Sequence, residues 1–308
     1  MLGTERVHES RYRKRIIVLV VITIQKLIAY MTLVRPKHWL KNVLVFVPIL
    51  YARNLTNLDL LRDAILCFAS FCLLSSAIYA VNDIVDVEND RKHPTKNKRP
   101  IASGKISVGE AIVIAIFLCV VGSLLLLIGY NNYRVVLYAV LFALLNIAYS
   151  FFLKHIVIID CFCIAAGFVL RIFAGAAASN SDVSEWLFLT MTAVSLFMAF
   201  GKRRVEIVLV DENALTRKAL ASYNLHFLDG IIFVCAGLSV VFYALWSMAS
   251  ISTMIYTVPL VIFIVCKYLL IVQSETYRED PISIIFGDKG LFLAACIFGL
   301  LSVVLLYI

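Results

Sequence analysis

What constrains this chain most is the length of its apolar runs. Stretches of about twenty apolar residues recur along nearly all of its 308 residues, separated by short polar connections, and about twenty residues is what a helix needs to cross the hydrocarbon core of a bilayer. Composition agrees. Apolar residues make up 62% of the chain, charged residues 16%, and the mean hydropathy is +0.94, whereas a soluble domain is roughly half apolar. The pattern predicts an all-α fold, a polytopic membrane bundle of about nine transmembrane helices, near residues 39–53, 61–82, 107–130, 134–150, 156–178, 186–201, 228–248, 252–272 and 290–307. No soluble domain, low-complexity tract or internal repeat interrupts it.

The net charge of +8 is laid out with a direction. With the N-terminus inside, the inner stretches hold Arg6 to Lys41, Arg91 to Lys105, Lys154, Lys202 to Arg204, Arg217, Lys218, Arg278 and Lys289, and the outer ends hold Arg53, Arg62 and Arg134. Under the positive-inside rule this asymmetry sets the orientation and puts every polar motif on the cytoplasmic face. Arg11 to Arg15 followed by Ile16 to Ile24 resembles the start of a signal peptide, yet no small-residue cleavage site precedes Lys26. Residues 1–34 are read instead as a basic, cytoplasmic N-terminal segment with an interfacial helix, and 35–308 as the transmembrane domain. The eight cysteines lack metal-ligand spacing and read as free, buried thiols. His38, His93, His155 and His226 show no ligand spacing either. Trp39 and Trp186 read as interface anchors.

The chemistry concentrates at the inner end of the second segment, Asn82-Asp83-Ile84-Val85-Asp86-Val87-Glu88-Asn89-Asp90. On a helix Asp83, Asp86 and Asp90 (i, i+3, i+7) share a face, with Asn82 at its edge. Three acids at a helix C-terminus repel one another and oppose the macrodipole, so something cationic belongs among them. Hard oxygen ligands suit Mg²⁺, which keeps several waters and usually holds phosphates too. The plainer alternative is a solvated helix end whose acids pair with the lysines that follow. Those residues, Arg91-Lys92-His93-Pro94-Thr95-Lys96-Asn97-Lys98-Arg99-Pro100-Ile101-Ala102-Ser103-Gly104, combine base with turn formers and could fold back over an anion.

This aspartate stripe followed by Lys98 to Gly104 resembles the UbiA superfamily of intramembrane prenyltransferases. Within it, the chain is similar to the polyprenyl-phosphate phosphoribosyltransferase branch through Arg35-Pro36-Lys37-His38-Trp39-Leu40-Lys41-Asn42, His93 to Lys96, Tyr149-Ser150 with Lys154 and Asp160, Leu170-Arg171 with Gly175, and Gly201-Lys202-Arg203 with Glu206. The resemblance covers Arg35 to about Asp288. It implies a UbiA-like fold, Mg²⁺ on Asp83, Asp86 and Asp90, and a catalytic set of those three with Asp160 and Glu206. It also implies substrate contacts from Lys41, Asn82, Lys92, Arg99, Tyr149, Lys154, Lys202 and Arg203. UbiA prenyltransferases are expected to carry a second aspartate-rich motif after the sixth helix; here that place reads Lys202-Arg203-Arg204-Val205-Glu206. Base in place of acid points to direct phosphate contacts, although Lys202 and Glu206 could equally be a surface i, i+4 pair.

Asp160 and Arg171 lie in an otherwise apolar segment, where charge is costly and faces the protein interior. They stand about three turns apart, so each needs its own partner; Lys154 is a candidate for Asp160, and a purely structural role is open for Arg171. The reaction implied is Mg²⁺-dependent transfer of 5-phosphoribose from phosphoribosyl diphosphate to a membrane-held polyprenyl phosphate such as decaprenyl phosphate, on the cytoplasmic side of a bacterial inner membrane. No nucleic-acid partner is expected, and a homo-oligomer is an open option. The rivals are a prenyltransferase acting on an aromatic acceptor and, from another class, a transporter with an acidic cation pathway.

Overall fold

A computed structural model describes residues 23–93, 95–130, 132–209, 222–250, 252–274, 284 and 286–307. Arg11 to Arg15, Pro94, Arg217, Lys218 and Arg278 lie outside the described residues. All regular structure among the described residues is helical. Residues 23–34 form α1. A 3₁₀ helix, Pro36–Phe46, leads into α2 (Val47–Tyr51), followed by α3 (Leu58–Val85), α4 (Val87–Lys92), α5 (Val108–Gly129) and α6 (Tyr133–Phe151). Then come α7 (Ile159–Ala178), α8 (Glu185–Leu209), α9 (Leu225–Ser250), a 3₁₀ turn continuous with α10 (Val258–Gln273), and α11 (Lys289–Tyr307).

Among the described residues seven helical stretches are long and apolar enough to cross a membrane: α3, α5, α6, α7, α9, Ser252–Gln273 and α11. The chain is an integral membrane protein. The other two expected spans differ for local reasons. The 39–53 stretch is 3₁₀ for most of its length and resumes as α-helix only at Val47, where Pro48 sits in the first turn, the place its missing N–H costs nothing. The 186–201 stretch lies in α8, but that helix runs on through Lys202, Arg203, Arg204 and Glu206. Membrane exposure also corrects the cysteine reading. All eight are free, yet Cys119, Cys266 and Cys296 are exposed, on helices whose outward faces also present Phe117, Phe263 and Leu300. In lipid an apolar side chain has little reason to turn inward, because the surroundings are as apolar as the core.

The chain divides into two compact units. One takes the described residues up to Leu40 together with Cys72–Val121; the other takes Lys41–Phe71 and Gly122 onward. The first unit is built around Ala29, Leu33, Ala80, Ile101, Ile106, Ala111 and Ala115. Four of these are alanines, and α1, α3 and α5 share this core by close backbone approach rather than by bulk. The second unit has a core of Phe197, Phe200, Leu228, Ile232, Tyr268 and Val272 among others, and a further aromatic cluster around Tyr243, Trp246 and Met254.

Gly175 belongs to the second unit, and its place in the sequence motif has a plain cause. A Cβ there would fall inside the carbonyl of Val45, so α7 meets the 3₁₀ segment backbone to backbone. Four residues earlier Arg171 is buried. Its Nε donates to Asn42 Oδ1 at 2.6 Å and its Nη1 to the Gly167 carbonyl at 2.6 Å, and its guanidinium lies 4.4 Å from the Phe142 ring centroid. Arg171 thus stitches α7 to the buried Asn42, the structural role left open for it.

Candidate functional site

Within the first unit, the aspartate stripe is not one unbroken helix. α3 ends at Val85, Asp86 takes φ −90°, ψ 4°, and α4 begins at Val87. The hydrogen bonds Asp86 N–H to Asn82 (3.0 Å) and Asp90 N–H to Asp86 (2.8 Å) persist across the hitch, so Asp83 and Asp90 still turn the same way. Both are buried, at 2% and 4% exposure, and Asp86 between them is half-buried.

The cation that this arrangement needs is supplied twice. Arg99 Nη1 donates to Asp83 Oδ1 at 2.9 Å and to Asp90 Oδ2 at 2.6 Å, bridging the two acids. Arg35 Nη2 reaches both oxygens of Asp83, at 2.6 and 2.8 Å. The loop holds Arg99 in place because Ile101 and Ile106, either side of the turn, are buried in the first unit's core, while Gly104 at φ +77° closes the turn in the left-handed region that glycine tolerates best. Arg35 is held less comfortably. Its φ of +55° is unusual for a non-glycine residue, and it precedes Pro36, which disfavours helical backbone just before it. The segment beyond is pinned by Trp39, whose Nε1 donates to Ser76 Oγ at 2.9 Å; Ser76 Oγ in turn donates to the Val34 carbonyl at 2.8 Å. Trp39 is therefore a tie to α3, not merely an interface anchor.

Among the described residues no three His, Cys, Asp or Glu side chains are grouped so as to enclose a metal ion. The chemistry of the donor set nevertheless fits Mg²⁺: hard carboxylate oxygens, few enough to leave places for water and phosphate.

The second unit has its own polar cluster. Arg203 on α8, only 1% exposed, approaches Asp160 of α7 with Nε at 2.7 Å from Oδ2, an ion pair whose angle falls short of a hydrogen bond. Its Nη1 donates to Glu206, one turn on, and its Nη2 to Tyr149 OH at 3.3 Å. Asp160 Oδ1 accepts from Tyr223 OH at 2.7 Å, and the same hydroxyl accepts from the Ile158 backbone N–H at 2.7 Å. Burial and the Asp160 carboxylate both push the Tyr223 phenol upward, so it stays a donor. Ile158 is strained, a β-branched residue at φ +70°, and its N–H is tied to Tyr223 just before α7 begins.

Of the residues picked from sequence, the structure gathers Asp83, Asp90 and Arg99 in one unit, with Asn82 and Asp86 on the same helix end and Lys92 exposed just beyond. It gathers Asp160, Tyr149, Arg203 and Glu206 in the other. Lys154 is buried on the 3₁₀ turn between α6 and α7; Lys41 and Lys202 are half-buried. Asp160 takes Arg203 and Tyr223 as partners, and Glu206 pairs with Arg203 at i, i+3. Sequence reasoning missed Arg35 and Tyr223. Arg35 was read only as part of a motif and an inner-face charge. Tyr223 carried no signal, because what makes it matter is its distance from Asp160, 63 positions away.

The sequence profile of the UbiA prenyltransferase family matches residues 42–293. The chain belongs to the UbiA prenyltransferase family. Its relatives in that family include a decaprenyl-phosphate phosphoribosyltransferase of Corynebacterium glutamicum, 39% identical over 215 residues, which is 69% of this chain and 65% of that protein. The Mycobacterium tuberculosis protein of the same name is 35% identical over 219 residues, 70% of this chain and 72% of its own length. A solved UbiA homolog from Archaeoglobus fulgidus, bound to GPP and Mg²⁺, superposes with a TM-score of 0.69 at 19% identity, covering 90% of this chain and 96% of its own. At that identity it speaks for the UbiA fold alone.

Proposed function

We propose that this chain transfers 5-phosphoribose from phosphoribosyl diphosphate to a polyprenyl phosphate, releasing diphosphate and forming polyprenyl-phosphoryl-5-phosphoribose. The observation that carries this choice is the 35–39% identity, over about 70% of the chain, to proteins named decaprenyl-phosphate phosphoribosyltransferase. The aspartate–arginine cluster of the first unit supports a diphosphate as the leaving group. The Arg203-centred cluster supports a donor without the second acidic motif expected of prenyltransferases that act on aromatic acceptors.

Asp83, Asp86 and Asp90 would hold Mg²⁺, which when bound neutralises charge on a departing diphosphate. Arg99, Lys92 and Asn82, on or beside the same helix end, donate to the diphosphate oxygens and fix its orientation. The C1–O bond to diphosphate breaks with its electron pair leaving on the diphosphate, and a phosphate oxygen of the lipid acceptor forms the new bond at C1 from the opposite face. That oxygen is already anionic, so no strong base is required. Asp160 and Glu206 act chiefly by holding Arg203 and, through Tyr223, the start of α7. By the family resemblance Lys41, Tyr149, Lys154 and Lys202, all in the second unit, contact substrate phosphate. We place the chemistry on the cytoplasmic side of a bacterial inner membrane, since the donor is soluble and the basic residues gather at that end.

The test offers purified protein two pairs of substrates with Mg²⁺: phosphoribosyl diphosphate with polyprenyl phosphate, and prenyl diphosphate with an aromatic acceptor. Phosphoribosylated lipid from the first pair alone is the expected result. Prenylated aromatic product with no ribosylated lipid would overturn the donor assignment and leave the family intact.

A further inference from the structure

In the first unit's cluster Asp83 and Asp90 face the guanidinium groups of Arg35 and Arg99, so before any ligand arrives these four charges balance. A divalent cation joining the carboxylates alone would stand beside two arginines already bonded to the same oxygens: Asp83 Oδ1 accepts from both Arg35, at 2.6 Å, and Arg99, at 2.9 Å. Two cations competing for one buried oxygen repel strongly where water is scarce. A diphosphate entering with the metal removes the conflict, because it brings acceptor oxygens to which both forks can move.

The two arginines are built to make that move. Their side chains retain 18% and 25% exposure while Asp83 is at 2%, so each can leave on the solvent side. Neither lies on a helix: Arg99 follows a 3₁₀ turn and Arg35 stands between α1 and the 3₁₀ segment. Arg35 is held in a left-handed backbone, strain that its two contacts to Asp83 oppose. Arginine's rigid, two-pronged donor set suits a carboxylate and a phosphate equally.

We propose that Arg35 and Arg99 are internal counter-ions that occupy the metal's carboxylates in the free protein and pass to the donor's diphosphate on binding, so that metal and diphosphate enter together. This rests on the reading of the cluster as a metal–diphosphate site. It adds Arg35 to the residues that touch donor, and it gives the free protein a low affinity for divalent cation alone.

The test measures Mn²⁺ binding by electron paramagnetic resonance on the whole protein in detergent, with Mn²⁺ alone and with Mn²⁺ plus inorganic pyrophosphate. Arg35→Gln and Arg99→Gln are the variants; the second leaves the Arg35–Asp83 pair in place and serves if the first fails to fold. Each variant should bind Mn²⁺ alone about tenfold more tightly than wild type, and Mn²⁺ with pyrophosphate about tenfold more weakly. Affinities that move in the same direction under the two conditions, or an unchanged affinity for Mn²⁺ alone, would overturn the transfer. Pyrophosphate carries neither ribose nor prenyl group, so these outcomes are independent of which donor the protein uses. If neither wild type nor variants bind Mn²⁺ with pyrophosphate, the metal–diphosphate reading itself fails.

Discussion

The two polar clusters solve one electrostatic problem in opposite ways. In the first unit buried acids are the fixed part, Asp83 at the end of α3 and Asp90 on the short α4, and the cations reach them from non-helical segments with their side chains partly open to solvent. In the second the cation is the fixed part. Arg203 is fully buried in a helix, enclosed by Asp160 at 2% side-chain exposure and Glu206 at 29%. A guanidinium on a loop can be exchanged for another cation, whereas one sealed on a helix between two carboxylates cannot be removed without leaving buried charge behind. On the function proposed above, the first cluster is the seat of ligand exchange and the second a scaffold.

The largest effect should follow from attacking the exchangeable cluster at its fixed point. Asp83→Asn removes a proposed metal ligand and the acceptor shared by Arg35 and Arg99, and transfer measured with labelled donor should fall roughly a thousandfold. Next comes the scaffold. Arg203→Met should lower unfolding stability by about 3–5 kcal/mol, since it leaves Asp160 and Glu206 without their cation, and adding Asp160→Asn should recover part of that loss in thermal melts. If the single variant melts like wild type, the contrast between exchangeable and fixed cluster is wrong. Gly175→Ala separates packing from charge. With Val45 in the way of a Cβ it should cost about 1–3 kcal/mol while leaving Mn²⁺–pyrophosphate binding unchanged. Tyr223→Phe keeps the ring and removes one hydroxyl that both donates to Asp160 and accepts from Ile158, so it should cost about 1–2 kcal/mol.

The smallest effect belongs to a carboxylate outside both clusters. Asp288 caps α11 by accepting from the Leu291 N–H at 2.8 Å and pairs with Lys267 at 3.2 Å. The Leu291 N–H, aided by Lys267, holds its carboxyl below the ordinary 3.8. A depressed native pKa gives stability that is complete above the unfolded value and is lost as pH falls through the native one. Asp288→Asn should therefore melt slightly below wild type at neutral pH, and the two curves should converge as pH is taken well below 3.8.

Much of this was legible in the sequence, and unevenly. Seven spans could be read because twenty apolar residues in lipid leave the backbone little choice but a helix. The 3₁₀ course of Pro36–Phe46 could not, since its cause lies in contacts far along the chain: Trp39 on Ser76, and Asn42 on Arg171. The Asp83–Asp90 stripe was visible through helical periodicity, and its need for a cation followed from charge alone. That the cation includes Arg35, 48 positions earlier, did not follow. The same limit hid Tyr223. Local pattern reveals which residues share a face; it does not reveal what packs against that face.

The measurement that tests the account most directly is single-turnover transfer of labelled phosphoribose from phosphoribosyl diphosphate into polyprenyl phosphate, comparing wild type, Asp83→Asn and Asp288→Asn with Mg²⁺ and with EDTA. Labelled lipid is expected from wild type and Asp288→Asn with Mg²⁺, from Asp83→Asn at a rate roughly a thousandfold lower, and from no protein with EDTA. Labelled lipid from Asp83→Asn at the wild-type rate would contradict this, and the aspartate–arginine cluster would then not be where the reaction takes place.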